Sequence, residues 1–277
     1  MKALGVYRET EFSPGKVAAD AAILESVLAE LGAEGFETET VDPAGFLDLA
    51  ISRYDLVLAM CQGREALARL VMHQHSGSVV VNSALAIRNC YRDLLSAGLK
   101  RSGIPIPPGV LMGTEDSLDR RVLYGLEPEA GLYVKRGDLH ALHDSDVVRV
   151  TGVDQLGAAL MAFAARGIKS VYVQQSVEGS LVKFYGVSGG EYFATVADGY
   201  HLPDRLKLDL ARAAATAADA LGLETWGGDA VVHEDGFKII DFNDWPSFSR
   251  VRVEASRAIA RRCLRLHRLG AHGGRTV

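Results

Sequence analysis

An α/β N-terminal domain with a parallel sheet, followed by two α+β subdomains, is the architecture this sequence predicts. Strands and helices alternate through the first 84 residues, which implies parallel pairing. Further on, adjacent strands at 180–188 and 191–197 read as antiparallel neighbours, and Gly227–Asp244 reads as a two-strand hairpin. A chain of 277 residues with 48% hydrophobic content can also bury a core large enough for two or three lobes.

Residues 2–7 read as a buried strand. A helix at 17–32 places Val17, Ala21, Leu24, Val27, Leu28 and Leu31 on one face, with Gly32 where a C-cap belongs. Strands at 36–41, 54–60 and 78–82 follow, with a helix at 63–75 before the last. The first domain is therefore residues 1–84. A helix at 86–102 runs into Gly103-Ile104-Pro105-Ile106-Pro107-Pro108, which cannot continue it. Strands at 131–136 and 145–150 and a helix at 154–166 make a central subdomain, 85–169. The third portion, 170–268, opens with a strand at 170–175. It then carries the two antiparallel strands, an Ala-rich helix at 204–221, the hairpin and a basic helix at 250–268. Residues 269–277 read as a flexible tail.

Composition narrows the function. A net charge of −5 disfavours nucleic acid as a partner, which would call for a basic stripe. Cys61, Cys90 and Cys263 are far apart and form no CxxC pair, so neither zinc nor a disulfide framework is expected. Few cysteines, no signal-peptide pattern and no apolar run of membrane-spanning length lead us to expect a cytoplasmic protein. P-loop and Gly-x-Gly-x-x-Gly patterns are absent.

The hairpin carries the strongest chemical signal. Strand alternation puts Asp241 and Asn243 on one face of its second strand, and Asp229 can sit opposite them. Two carboxylates and an amide oxygen suit a hard cation such as Mg²⁺, whose shell water and nucleotide phosphates would complete. Large apolar neighbours, Ile239, Ile240, Phe242 and Trp245, favour a cleft over a solvated hairpin face. Lys135 lies on or just after a strand, as a phosphate contact or as an ordinary surface lysine. Gln174-Gln175-Ser176-Val177-Glu178 is a polar connector able to border an adenine edge, or a plain strand-to-turn transition. Lys183, set among strand hydrophobics, must reach an anion or snorkel to water. His140 and His143 follow Lys135 on a loop.

Taken in order, these pieces resemble the ATP-grasp superfamily. The resemblance runs through Val81-Asn82-Ser83-Ala84 before a helix, Gly103-Ile104-Pro105-Ile106-Pro107 at its end, Lys135, the 174–178 connector, the Lys183 strand, and Asp229 ahead of Asp241-Phe242-Asn243. It covers nearly the whole chain. It implies ATP clamped between the two α+β subdomains, behind an N-terminal domain that helps bind the acceptor. It implies that Lys135 contacts the α- and β-phosphates and that Gln174, Gln175, Ser176, Val177 and Glu178 line the adenine. Asp229, Asp241 and Asn243 would hold Mg²⁺, or Mn²⁺ in its place. The family's second phosphate-contacting lysine falls at Arg92, which keeps the charge and changes the geometry. The loop after Lys135 is short and holds Asp138 and His140 rather than several glycines. Lys183 and His140 complete the catalytic candidates.

Two branches of the superfamily fit. Carboxylate–amine or thiol ligases form an acyl phosphate, which a nucleophile then opens. Kinases resembling the ATP-grasp inositol trisphosphate kinases phosphorylate a hydroxyl instead, and would need a base such as Asp244 or His140. The ligase reading comes first, the kinase second, and a nucleotide-binding module without turnover third. D-alanine–D-alanine ligases place an arginine where this chain has Gly227. The implied partner is a small-molecule acid or a phosphorylated substrate, with neither nucleic acid nor membrane, and a homo-oligomer is compatible. Substrate contacts are expected from Arg8, Ser13 and Lys16 after the first strand, and from Ser247 and Arg250 past the hairpin.

Overall fold

The computed structural model describes residues 1–50, 54–119, 122–138 and 143–273. Strand β1 (Lys2–Val6) buries Ala3, Leu4 and Val6, which puts it inside a sheet rather than at an edge. It pairs in parallel with β2 (Glu37–Val41) and β3 (Leu56–Ala59), and β4 (Val79–Val81) extends the sheet beyond β3. The Glu- and Thr-rich β2 is the exposed edge. Helices α1 (Val17–Ala33), α2 (Pro43–Asp48) and α3 (Arg64–His75) make the connections. Helix α2 was not anticipated, although Asp42 caps it by accepting from the Gly45 amide, and Pro43 opens it.

The single helix expected at 86–102 is two, α4 (Ala84–Asn89) and α5 (Arg92–Arg101). Tyr91 breaks it with an extended ψ of 138°, burying its ring and donating its hydroxyl to the Gln62 carbonyl. Both helices were expected to open the central subdomain. Instead Ala86, Leu95 and Leu99 pack into the core beneath the C-terminal sheet.

The central sheet has the antiparallel order β5-β8-β6-β7, formed by β5 (Gly109–Gly113), β6 (Leu132–Arg136), β7 (Val147–Val150) and β8 (Ser170–Gln175). The short, glycine-bounded β5 was missed. The strand expected to open the third portion, β8, lies inside this sheet, because Val171 and Val173 pack with Leu132 and Val134 against α6 (Gly152–Ala165). Its alternate residues, Tyr172 and Gln174, face the other way.

The C-terminal sheet, in the order β10-β9-β11-β12, is fully antiparallel. Its strands are β9 (Ser180–Val187), β10 (Tyr192–Val196), β11 (Thr225–His233) and β12 (Gly236–Asp244). Helix α7 (Asp204–Leu221) covers one face through Leu210, Ala214 and Ala217. On the other face α8 (Arg252–Gly273) packs Ala255, Ile259 and Cys263 against Tyr185 and Val187, and also against Leu24 and Val27 of α1. One apolar core therefore joins the N-terminal domain to the C-terminal sheet. Residues 269–273, expected in a tail, continue α8, and 274–277 lie outside the described residues. No helix among the described residues is long and apolar enough to cross a membrane.

Candidate active site

The hairpin register sets Asp229 directly opposite Asp241, and Gly227 opposite Asn243. Alternation sends Asp241 and Asn243 outward, while Phe242 and Asp244 turn into the protein. Asp229, Asp241 and Asn243 together border a cavity of about 690 Å³. Their packing needs Gly228 beside them: a Cβ there would lie 2.3 Å from the Asp241 carbonyl oxygen and 2.5 Å from Phe184. Position 227 is equally closed, since a Cβ would meet the Phe184 carbonyl and Pro246 at 2.8 Å. The arginine of D-alanine–D-alanine ligases has no room there.

A β-bulge follows Asp229: Asp241 pairs with Asp229 and Ile239 with Ala230, which leaves Ile240 out of the ladder. The freed Ile240 carbonyl accepts from Lys135 Nζ at 2.9 Å. Lys135 sits on the face of the central sheet away from α6, in register with Tyr172, and is almost wholly buried. Burial pushes its pKa down to about 8, and the nearby Asp241 offsets part of that fall. Arg92 reaches in from α5, with Nη2 3.8 Å from Asp241 Oδ1. Its buried Nε has no hydrogen-bond partner among the described residues. Lys183 lies opposite Asp229 on β9 and donates to its Oδ1 at 2.8 Å. Burial alone would lower the Lys183 pKa, but the hydrogen bond and charge of Asp229 outweigh it and the pKa is raised. Oxygen ligands on one side and three cationic side chains on the other fit a hard divalent cation with phosphates beside it. Among the described residues no three His, Cys, Asp or Glu side chains cluster as a metal site.

Asp241 also borders a second, small void of about 20 Å³ with Arg92, Tyr172, Gln174 and Ile240. The hairpin thus joins the large cavity to the cleft facing the central sheet. Along the connector after β8, the amides of Gln175 and Ser176 already donate to the Pro108 and Gly131 carbonyls, at 2.8 and 3.0 Å. The Gln175 side chain is held as well, by the Glu127 amide and the Gly131 carbonyl. Of the connector residues expected to line adenine, Gln174 faces the void, while Gln175 and Ser176 spend their amides within the protein. Val177 and the exposed Glu178 follow them. His140 lies outside the described residues.

The first loop departs further from expectation. Arg8 and Ser13 border the cavity, yet their donors are turned inward. Arg8 donates to the carbonyls of Met60, Asp244 and Trp245 and to Asp20, and Ser13 donates to Asp20 at 2.7 Å. Lys16 is exposed at the rim, Ser247 borders the cavity, and Arg250 forms an ion pair with Asp198. Glu9 caps the approach to α3 by accepting from the Gln62 and Gly63 amides, both at 2.9 Å. Behind the hairpin, Gln62 donates to Asp244 Oδ1 at 2.8 Å. Burial pushes the Asp244 pKa up to about 6, against the opposing pull of Arg8.

The site is anchored from two sides. Asn82, fully buried past β4, accepts from the Glu224 and Thr225 amides and donates to the Thr225 carbonyl, so it rivets the parallel sheet to the base of β11. Trp245 and Phe248, both buried, hold left-handed backbone at φ 39° and 48°. Each such residue costs about 1–3 kcal/mol, so packing must impose the turn that carries Pro246 and Ser247. Gln62 and Asp198 were not anticipated. Gln62 had one available signal, its place just past the C-terminal end of a parallel strand, where α/β sheets bind ligands; Asp198 had none. A Gly-x-Ser-x-Gly pattern does occur at 186–190, but Ser188 is buried and bonded to Leu223 and Trp226, which removes it as a nucleophile.

Solved structures share this fold along their whole length. A D-alanine–D-alanine ligase from Bacillus anthracis, complexed with ATP, superposes with a TM-score of 0.76 at 14% identity, covering 99% of this chain and 100% of that one. A RimK domain ATP-grasp protein from Sphaerobacter thermophilus gives 0.68 at 20% identity, covering 95% and 99%. A D-cycloserine synthetase gives 0.70 at 16% identity, covering 94% and 99%. No protein-family model and no curated protein matches the chain. The fold is therefore the ATP-grasp fold.

Proposed function

We propose that this protein is an ATP-dependent ligase that phosphorylates a small carboxylic acid and joins it to an amine or another nucleophile. The observation that carries this reading is the hairpin face: Asp229, Asp241 and Asn243 open onto the large cavity, with Lys135, Arg92 and Lys183 around them. The named activities of proteins with this fold, D-alanine–D-alanine ligase and D-cycloserine synthetase, support it. In this reading Asp229, Asp241 and Asn243 hold Mg²⁺ or Mn²⁺, and Mg²⁺-ATP supplies the phosphoryl group. Lys135 and Arg92 place positive charge at the phosphates from the central-sheet side and from α5. Such fixed cations are most effective where charge develops and water is excluded. Gln174 and the connector to Val177 border the base. The acceptor occupies the cavity between the hairpin and the rim formed by Lys16, Ser247 and Arg250. An ionised carboxylate nucleophile needs no general base.

The test is Mg²⁺-ATP turnover with pooled small carboxylates and hydroxylamine. A trapped hydroxamate is the expected product, because it reports an acyl phosphate. A stable phosphoester by phosphorus NMR would transfer the protein to the kinase reading, and ATP binding without either product would leave a nucleotide-binding module.

A further inference from the structure

The metal face is already neutralised before any ligand arrives. Its two carboxylates meet three side-chain cations: Lys183 on Asp229, Arg92 beside Asp241, and Lys135 close enough to feel both acids. The other three acids bordering the cavity, Asp20, Asp198 and Asp244, are matched in number by Arg8, Arg250 and the rim cation Lys16. Asp20 is held by Arg8, Asp244 lies on the opposite face of the hairpin near Arg8, and Asp198 is paired with Arg250. Lys183 donates a 2.8 Å hydrogen bond to Asp229, a proposed metal ligand, and its side chain is half exposed. A divalent ion approaching Asp229 must therefore displace an ammonium group and enter a region of net positive charge. Mg²⁺ also gives up its water reluctantly. An anionic nucleotide reverses the balance, because its phosphates attract both the metal and the released ammonium.

We propose that Lys183 is a built-in counter-cation that occupies the metal's place on Asp229, so that the site rejects a bare divalent ion and admits it only together with an anionic nucleotide. This rests on the assignment of the hairpin as a metal–nucleotide site. It makes Lys183 a positioning residue that couples the two ligands. Coupling of this kind is reciprocal: the nucleotide raises metal affinity by the factor by which the metal raises nucleotide affinity.

The experiment uses Mn²⁺ alone as probe, followed by electron paramagnetic resonance of the free ion, on the full chain with and without a non-hydrolysable ATP analogue. Wild-type protein should take up Mn²⁺ only with the analogue present. Lys183→Met, which keeps the length and removes the charge, should bind Mn²⁺ alone about tenfold more tightly or better, as loss of a competing ion pair requires. Lys183→Arg should behave as wild type, and Lys183→Met with Asp229→Asn should lose the new affinity. Tight nucleotide-independent Mn²⁺ binding by the wild type would overturn the inference and leave the ligase reading standing. So would Lys183→Met binding bare Mn²⁺ no better than wild type at an unchanged melting temperature. If the wild type took up no Mn²⁺ even with the analogue, the ligase reading would fall and this inference with it.

Discussion

In the loop after β1, charged and polar groups are turned on one another: Arg8 reaches Asp20 and three carbonyls, Ser13 caps the same Asp20, and Glu9 holds two backbone amides. Across the cavity, on β11 and β12, Asp229, Asp241 and Asn243 project their oxygens outward, with cations set against the two carboxylates. Both regions are rich in ionisable residues, and both border the same space. The loop uses its charges to fix a frame, which a buried ion pair can do because breaking it strands the partner. The hairpin instead meets its two carboxylates with side-chain cations at the cavity wall. Proximity to a cavity therefore does not identify a ligand residue; the destination of each donor atom does.

The comparison breaks most sharply at Asp241. Asp241→Asn removes one charge from an open face, so we expect turnover to fall about a thousandfold, the size of loss seen when transition-state electrostatics are removed. The melting temperature should stay within a few degrees. Phosphate release from Mg²⁺-ATP, alongside a thermal melt, checks both, and turnover within about tenfold of wild type would return Asp241 to the solvated surface. Arg8→Met should show the opposite pattern. It leaves Asp20 and Asp244 without their cation and removes the link to Met60 and Trp245, at a cost of about 3–5 kcal/mol in stability. Urea unfolding measures it, and a loss below about 1 kcal/mol would mean that the loop is not the locked frame described.

The open half of the site was legible in the sequence, and the locked half was not. Alternation along Ile239–Asn243 assigns faces from period alone, and the short turn at Glu234-Asp235 brings Asp229 alongside Ile240 and Asp241, the bulge then completing its pairing with Asp241. Most elements followed from the same periodicities. The bulge that frees the Ile240 carbonyl for Lys135 is a property of pairing, which no single strand displays. The same holds for the place of β8, since apolar alternation shows that a strand is half buried and not which sheet it joins. Tyr91 breaks a helix without a Gly or Pro to mark the break. Arg8 reads as a substrate contact because its actual acceptors come from residues more than fifty or two hundred positions away. Lys183 fell between these cases: its need for an anion was readable, and the identity of that anion, Asp229, was not.

Asp244 lies on the boundary between the two regions, three residues beyond Asp241 and facing the frame. Its pKa of about 6 in the folded protein exceeds the ordinary carboxylate value of 3.8, with burial as the main cause. The sign follows directly. A proton is held more tightly in the folded chain than in the unfolded one, so this group favours the fold most at low pH. That contribution is lost as pH rises from about 4 to about 6, and above this range the charged form costs about 2–3 kcal/mol. Asp244→Asn keeps an acceptor for Gln62 and cannot ionise. Relative to wild type, the variant should therefore gain about 1–3 kcal/mol in stability between pH 4.5 and pH 7.5, measured by urea unfolding with EDTA present. Arg8 retains its Asp20 and carbonyl acceptors in that variant, so the frame survives the change. A difference independent of pH would show that Arg8 fully compensates the Asp244 charge, and the frame would then hold a true ion pair rather than a carboxyl group strained by burial.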